Sequence, residues 1–228
     1  MVNIVMKIEI GESLIYSWLR HIKKCQIVQL NWKASEKWDK DKDTDTKLRL
    51  RMDKIQDMFD KPFGNIHSLQ QLVKSSEIDV VGFDFQNKNL YCVDIAFHSY
   101  GLRYSDNVKN VTKKILRTLL ILDIYFNNDY NKKVIFSTPK ITPKEYSNLI
   151  HRLNEIKKFV DEYHLNTSVE IISNEKFQNE ILNPILSISD DIADTSELFL
   201  RSYQLTRLFG KKVTSSKNDK NDSLESDT

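Results

Sequence analysis

Hydrophobic residues along this chain follow two spacings, one typical of helices and one typical of strands. Apolar positions three and four residues apart predict helices, and short apolar runs between polar residues predict strands. The predicted helices cover residues 11–24, 47–59, 68–74, 105–126, 142–164, 174–188 and 195–209. The predicted strands cover residues 25–32, 78–85, 90–97, 132–137 and 168–172. This order of elements predicts an α/β fold, in which helices flank both faces of a mixed central β-sheet.

The composition is that of one folded domain with a polar end. A chain of 228 residues that is 40% hydrophobic can bury a substantial core, so we predict one domain over residues 1–210. Residues 33–77 are predicted to form an insert in this domain. Residues 211–228 are almost entirely polar, which predicts a disordered tail. The formal net charge of +2 is too small to argue by itself for a nucleic-acid partner.

Three features bear on the location of the protein. The sequence contains no apolar run long enough to span a membrane, and its first residues lack the pattern of a signal peptide. Its two cysteines, Cys25 and Cys92, are far apart and lie in apolar contexts, which predicts buried thiols rather than a disulfide. We therefore expect a cytoplasmic protein that has no membrane partner.

The segment Ile78–His98 contains the most unusual placement of charge in the chain. It predicts two apolar strands joined by a tight turn, yet Asp79 and Asp94 interrupt these strands. A buried carboxylate costs several kcal/mol unless a partner neutralises it, and one divalent cation can neutralise two carboxylates. The hairpin is therefore the predicted location of chemistry. The alternative is that both aspartates lie at strand ends and meet water or a lysine.

The relation between the two aspartates depends on the length of the turn. A two-residue turn at residues 87–88 would put Asp79 and Asp94 on one face of the sheet, with Val81 opposite Asp94. The two aspartates would then be diagonal neighbours, roughly 7–8 Å apart at the backbone, which allows both to bind one ion. A turn one residue longer would bring Asp84 to the face of Asp94 instead. The first register is favoured, and the sequence leaves both open.

This order of elements, with acidic residues on a central hairpin, resembles the PD-(D/E)XK nuclease superfamily, which includes restriction endonucleases and Holliday-junction resolvases. The resemblance covers roughly residues 11–140 and implies a restriction-endonuclease-like αβββαβ core. It also implies that Asp79 and Asp94 bind Mg²⁺ or Mn²⁺ and that Glu12, on the first helix, assists them. Glu12 equally suits a structural role, because a carboxylate is favourable in the first turn of a helix.

The chain departs from the pattern of that superfamily at one motif residue. A lysine is expected two residues after the second acid, and Ala96 stands there. Such a lysine helps to activate the attacking water and stabilises charge in the transition state. Either another residue has taken over this role, or the metal is held without it, or the fold binds nucleic acid or a partner without catalysis.

Several basic residues near the hairpin are candidates for the missing role or for phosphate contacts. His98 follows Asp94 by four residues and is a candidate general base, metal ligand or phosphate contact. Candidates for contacts with backbone phosphates lie in the next loop and helix; they are Arg103, Lys113, Lys114 and Arg117. The simpler alternatives are a strand-end histidine bonded to backbone and a solvated helix face.

The favoured function is a metal-dependent nuclease that cleaves phosphodiesters of nucleic acid, with DNA as the favoured substrate. The alternative from a different class is a nucleic-acid-binding or regulatory module that has the same fold and no catalysis. A third interpretation concerns the C-terminal helices. Apolar residues there, such as Leu205 and Leu208, would need cover, which would make this end of the chain a homodimer interface.

Overall fold

The computed structural model describes residues 9–35, 37–38, 44–64, 66, 68–98, 101–102, 106–126, 129–192 and 195–215. Its helices are α1 (Ile10–Ser17), α2 (Thr44–Met58), α3 (Leu69–Ser75), α4 (Asn107–Tyr125), α5 (Pro143–Glu162), α6 (Asn174–Phe177), α7 (Asn183–Ile188) and α8 (Leu198–Ser215). Two π-helical turns, Trp18–Ile22 and Gln178–Leu182, continue α1 and join α6 to α7. The strands are β1 (Ile27–Trp32), β2 (Ile78–Asp84), β3 (Asn89–Ile95), β4 (Asn131–Thr138) and β5 (Thr167–Ser173).

The five strands form one mixed sheet in the order β1-β2-β3-β4-β5. β2 runs antiparallel to its neighbours β1 and β3, whereas β3, β4 and β5 are parallel. A hairpin joins β2 to β3, and the crossovers between parallel strands contain α4 and α5, because parallel strands cannot be joined by a short turn. The predicted α/β class, with helices around a mixed sheet, is confirmed. The element order expected for residues 11–140 is present, and α2 and α3 lie within the predicted insert.

Each face of the sheet has its own hydrophobic core. Helices α2 to α5 cover one face, where Ile55, Leu120 and Phe159 are completely or almost completely buried. Helix α1 and helices α6 to α8 cover the other face, around Leu14 and Ile181. The sheet is therefore buried on both sides, and only its strand ends and edges remain for a site that must contact solvent.

The interrupted helix between residues 174 and 188 has a local cause. A single helix with a kink at Pro184 is predicted there, and the structure has a π-helical turn immediately before α7, which begins at Asn183. Proline lacks an N–H group and cannot make the usual helical hydrogen bond, so the irregular turn lies where regular bonding would fail.

The two cysteines are free and buried, as predicted. Burial raises the pKa of the Cys25 thiol to about 12.

The last helix is longer than predicted. Helix α8 continues to Ser215, whereas the apolar pattern ends at residue 209 and the polar tail was predicted from residue 211. One glycine inside a helix costs only about 1 kcal/mol relative to alanine, so Gly210 does not end it. Residues 216–228 lie outside the described residues. Leu205 and Leu208 are exposed, and the homodimer through this helix stays a prediction.

Among the residues that the structure describes, no helix is both long enough and apolar enough to cross a membrane.

Candidate functional site

The hairpin brings Asp79 and Asp94 together, but in a register other than the predicted one. Val81 pairs with Cys92 rather than with Asp94, because the turn comprises four residues, 85–88, instead of two. The pairing predicted for Val81 was therefore wrong. The shift is by an even number of residues, so both aspartates still share one face of the sheet. Val80 pairs with Val93. One further step in this pairing places Asp79 directly opposite Asp94 rather than diagonal to it.

The longer turn is stabilised by Asp84, the acid of the alternative register. Its carboxylate accepts hydrogen bonds from the backbone N–H of Asn87 at 3.1 Å and from the side-chain amide of Asn87 at 2.8 Å. The amide of Asn89 donates a third at 3.2 Å. These hydrogen bonds lower the pKa of Asp84, and the bond from the side-chain amide of Asn87 has the largest effect. Asp84 therefore belongs to the turn, at the opposite end of the hairpin from Asp94.

Helix α4 covers the two facing aspartates and supplies partners for both. Nζ of Lys114 lies 3.5 Å from Oδ2 of Asp79 and 3.3 Å from Oδ1 of Asp94. The hydroxyl of Thr118, one helical turn further along, donates to Oδ2 of Asp94 at 3.3 Å. The backbone N–H of Ile95 donates to Oδ2 of Asp79 at 2.8 Å. One cation thus offsets part of the negative charge of the pair, and two hydrogen-bond donors orient it.

Burial and the charge of Asp94 shift the pKa of Asp79. The side chain of Asp94 is only 2% exposed and that of Asp79 is 15% exposed. The pKa of Asp79 is raised from 3.8 to about 6, mainly by burial and then by the charge of Asp94, and Lys114 opposes both effects. A carboxylate with a pKa near 6 releases its proton just below neutral pH, and it is then available to a cation.

Helix α1 brings a third carboxylate to this end of the sheet. Gly11 allows the approach, because a Cβ atom at this position would lie 2.5 Å from Cβ of Phe97, in the chain just after β3. Burial raises the pKa of the neighbouring Glu12 to about 7, and the charge of Asp79 contributes next. Oε2 of Glu12 is buried and has no hydrogen-bond partner among the described residues. Such an atom is costly unless a cation or a proton satisfies it.

The chemistry of these donors fits a hard divalent cation, which prefers carboxylate oxygens. Asp79 and Asp94 face each other, and Glu12 has a buried oxygen without a partner. In the arrangement described, however, no three His, Cys, Asp or Glu side chains lie close enough together to hold an ion. The positive charge between the two aspartates is that of Lys114.

The contacts described for the two aspartates do not include His98, Lys113 or Arg117. His98 was predicted to act beside Asp94, four residues along the strand. Strand β3 ends at Ile95, however, so strand alternation does not place the side chain of His98 beside Asp94. None of the hydrogen bonds described for the two aspartates comes from His98. Arg103 lies outside the described residues, and Lys113 is half-buried on α4.

Arg117 has backbone partners in the part of the chain that leads into β2. Its guanidinium donates to the carbonyl of Ser75 at 2.6 Å and to that of Glu77 at 3.0 Å. These bonds fasten the end of α3 to α4. Thr118 was not predicted as a site residue, although its position four residues after Lys114 on a helix indicates the same face.

A comparison of this chain with protein-family models, with curated proteins and with solved structures found no match in any of the three. We therefore infer function from the geometry and electrostatics of the site.

Proposed function

We propose that this protein is a metal-dependent nuclease in which Lys114, on helix α4, replaces the lysine that the resemblance places on strand β3. The observation that carries the proposal is the contact of Lys114 with both aspartates, at 3.5 Å and 3.3 Å. The nuclease superfamily that this chain resembles has a basic group beside its two carboxylates. In this chain the basic group comes from helix α4 and not from strand β3.

The packing around residue 96 is consistent with this exchange. A lysine at position 96 would point to the same face of β3 as Asp94, because side chains two residues apart on a strand share a face. Helix α4 covers that face, and Ala96 is only 3% exposed. A lysine of the covering helix reaches the acids instead, and the buried side chain on this side at position 96 is a small apolar one.

Each residue then has a definite task. A divalent cation held by Asp79 and Asp94 would polarise the phosphodiester and lower the pKa of a bound water. Lys114 would donate to the phosphate oxygens on which negative charge develops. Glu12, with its pKa raised to about 7, exchanges its proton near neutral pH and is suited to accept one from the attacking water. The expected products carry a 5′-phosphate and a 3′-hydroxyl.

The test is cleavage of circular DNA, linear DNA and RNA in the presence of Mg²⁺ or Mn²⁺ by the parent chain, Asp94→Asn and Asp84→Asn. Both variants remove one carboxylate from the same hairpin, but only Asp94 belongs to the pair. We expect the parent and Asp84→Asn to cleave DNA and Asp94→Asn to lose cleavage. Equal cleavage by the two variants, or no cleavage by the parent with either metal, would contradict the proposal.

A second candidate is a nucleic-acid-binding module without catalysis. One observation favours it, namely that Lys114 already pairs with both acids, while no tight group of three metal-ligand side chains exists among the described residues. Such a module would bind DNA equally well in EDTA, with an affinity that falls as salt increases, and would cleave nothing.

A further inference from the structure

A pocket of about 410 Å³ lies at the carboxyl ends of the three parallel strands. Phe97 follows β3, Pro139 and Lys140 follow β4, and Asn174 follows β5, and all four line the pocket. In open α/β sheets, ligands bind in the crevice outside the carboxyl ends of the strands. The volume falls within the range of sites for small molecules.

The pocket and the acidic pair share structural elements. Phe97, which forms part of the pocket wall, follows Asp94 by three residues and packs against Gly11. Leu14 lines the pocket from α1, two residues after Glu12. Helix α1 therefore contributes a residue to each site, Glu12 near the acids and Leu14 in the wall of the pocket.

The lining combines an apolar wall with a polar rim. The apolar wall contains three aromatic rings and two leucines: Leu14, Phe97, Phe177, Leu182 and Phe199. Lys140 and Gln178 are exposed at the rim. Aromatic side chains stack on nucleobases, amide groups pair with the edges of bases, and a lysine attracts the phosphate.

Asn174 is fixed in an orientation suited to such pairing. Its Oδ1 atom accepts a hydrogen bond from the backbone N–H of Ile141 at 2.9 Å, so the NH₂ group is the part of the amide that remains as a donor. The backbone of Asn174 has a positive φ of 54°. Residues in this conformation are often found at ligand sites, where the surrounding structure holds them.

We propose that this pocket receives one nucleobase of the substrate strand, with the phosphate of that nucleotide at Lys140. The identity of the ligand rests on the proposed function, because a nucleic acid must be bound at the adjacent acids. The charged and amide groups of the rim distinguish this ligand from a purely apolar one, which would leave them without a partner.

The first test uses 2′-deoxyadenosine 5′-monophosphate (dAMP) with the parent chain in EDTA, followed by NMR of leucine methyl groups. We expect dAMP to shift the resonances of Leu14 and Leu182 and to leave Leu149, in the core on the opposite face, unchanged. Deoxyribose 5-phosphate, which has no base to stack, should bind at least about tenfold more weakly. Equal affinity for the two compounds, or dAMP shifts confined to other residues, would overturn the proposal.

A second test fills the pocket from its rim. Gln178 lines the pocket, whereas the adjacent Asn179 is equally exposed and does not. We expect Gln178→Trp to weaken dAMP binding about tenfold or more and Asn179→Trp to bind dAMP as the parent does. If the two variants bind dAMP equally well, the base does not occupy this pocket.

These measurements separate this proposal from the nuclease proposal, because binding in EDTA needs no cleavage. Cleavage by the parent without dAMP binding would overturn the pocket and leave the nuclease intact. Binding of dAMP at Leu14 and Leu182 without cleavage would support the pocket and contradict the nuclease.

Discussion

Nζ of Lys114 lies 3.3 Å from Oδ1 of Asp94, although the two residues are 20 positions apart in the chain. The contact joins helix α4 to strand β3 and supplies a charge partner to a carboxylate that is only 2% exposed. Two facing buried carboxylates repel each other and lose hydration, so a cation is needed to hold both in their ionised form.

The contribution of Lys114 to stability can be isolated with its neighbour on α4. We expect Lys114→Met to lower the free energy of unfolding at pH 8 by about 2–3 kcal/mol, because it leaves an uncompensated charge buried. Lys113→Met should change it by less than about 0.5 kcal/mol. Urea titration measures both. Similar losses in the two variants would show that the pairing of Lys114 with the aspartates contributes little.

The same substitution also tests the proposed catalytic role. With Mg²⁺, Lys114→Met should lower kcat for DNA cleavage by about 10²–10³-fold, as expected for the loss of one transition-state donor, while KM changes less. The double variant Ala96→Lys, Lys114→Met returns a lysine to the strand and should recover part of the lost kcat. An unchanged kcat in Lys114→Met would exclude this role for the lysine.

The acidic pair predicts a stability that depends on pH. The pKa of Asp79 is raised to about 6 in the folded chain, so between about pH 4 and pH 6 the folded state binds more protons than the unfolded state. The contribution of Asp79 to stability must therefore fall as the pH rises through this window. Asp79→Asn should remove roughly 3 kcal/mol of this fall, seen as a flatter curve of unfolding free energy against pH. A curve as steep as that of the parent would contradict the raised pKa.

Glu12 predicts a similar effect at higher pH. Its pKa is raised to about 7, so its contribution to stability is largest when it is protonated and is lost as the pH rises toward 7. Glu12→Gln should flatten the upper part of the same curve. Glu9→Gln, at the start of the same helix, is the matched control and should leave the curve closer to that of the parent.

Metal binding can be detected without catalysis. If a divalent cation binds the pair, Mn²⁺ at ten times its Kd should stabilise the parent by about 1.4 kcal/mol, seen as a rise in Tm. Asp79→Asn should show no rise, and Asp84→Asn should behave like the parent, because Asp84 belongs to the turn. A rise of equal size in Asp79→Asn would place the bound metal elsewhere.

Arg117 is expected to act on structure more than on nucleic acid. Because its guanidinium donates to the carbonyls of Ser75 and Glu77, Arg117→Met should cost about 1–3 kcal/mol of stability. The slope of log Kd against log salt for DNA should stay as in the parent. For comparison, Lys113→Met should reduce that slope by about 1 if Lys113 contacts a phosphate.

The periodicity of apolar residues was sufficient to predict the elements, because each helix and strand buries a stripe or face of its own. Helix α4 illustrates this, since Val111, Ile115 and Leu122 are buried along one side. The register of the hairpin was not predictable in this way. It depends on a turn whose length is set by hydrogen bonds from Asn87 and Asn89 to Asp84.

The two acids of the candidate site were predictable from the sequence, but the lysine that pairs with them was not. Asp79 and Asp94 were identifiable because charges are unusual inside apolar strands. Several basic residues on or near α4 were equivalent candidates, because the apolar stripe of a long and largely buried helix does not show which lysine faces the sheet. Only the packed structure distinguishes Lys114 from Lys113, and it also adds Thr118.

The small, buried side chain of Ala96 has a consequence for how related chains are found. If Lys114 fills the catalytic role proposed for it, no lysine is required two residues after Asp94, and position 96 can vary as an ordinary core position. A search that demands the strand lysine would miss any chain built in this way. A search for two facing strand carboxylates, followed by a helix with a lysine and a hydroxyl residue four positions apart, would retrieve it.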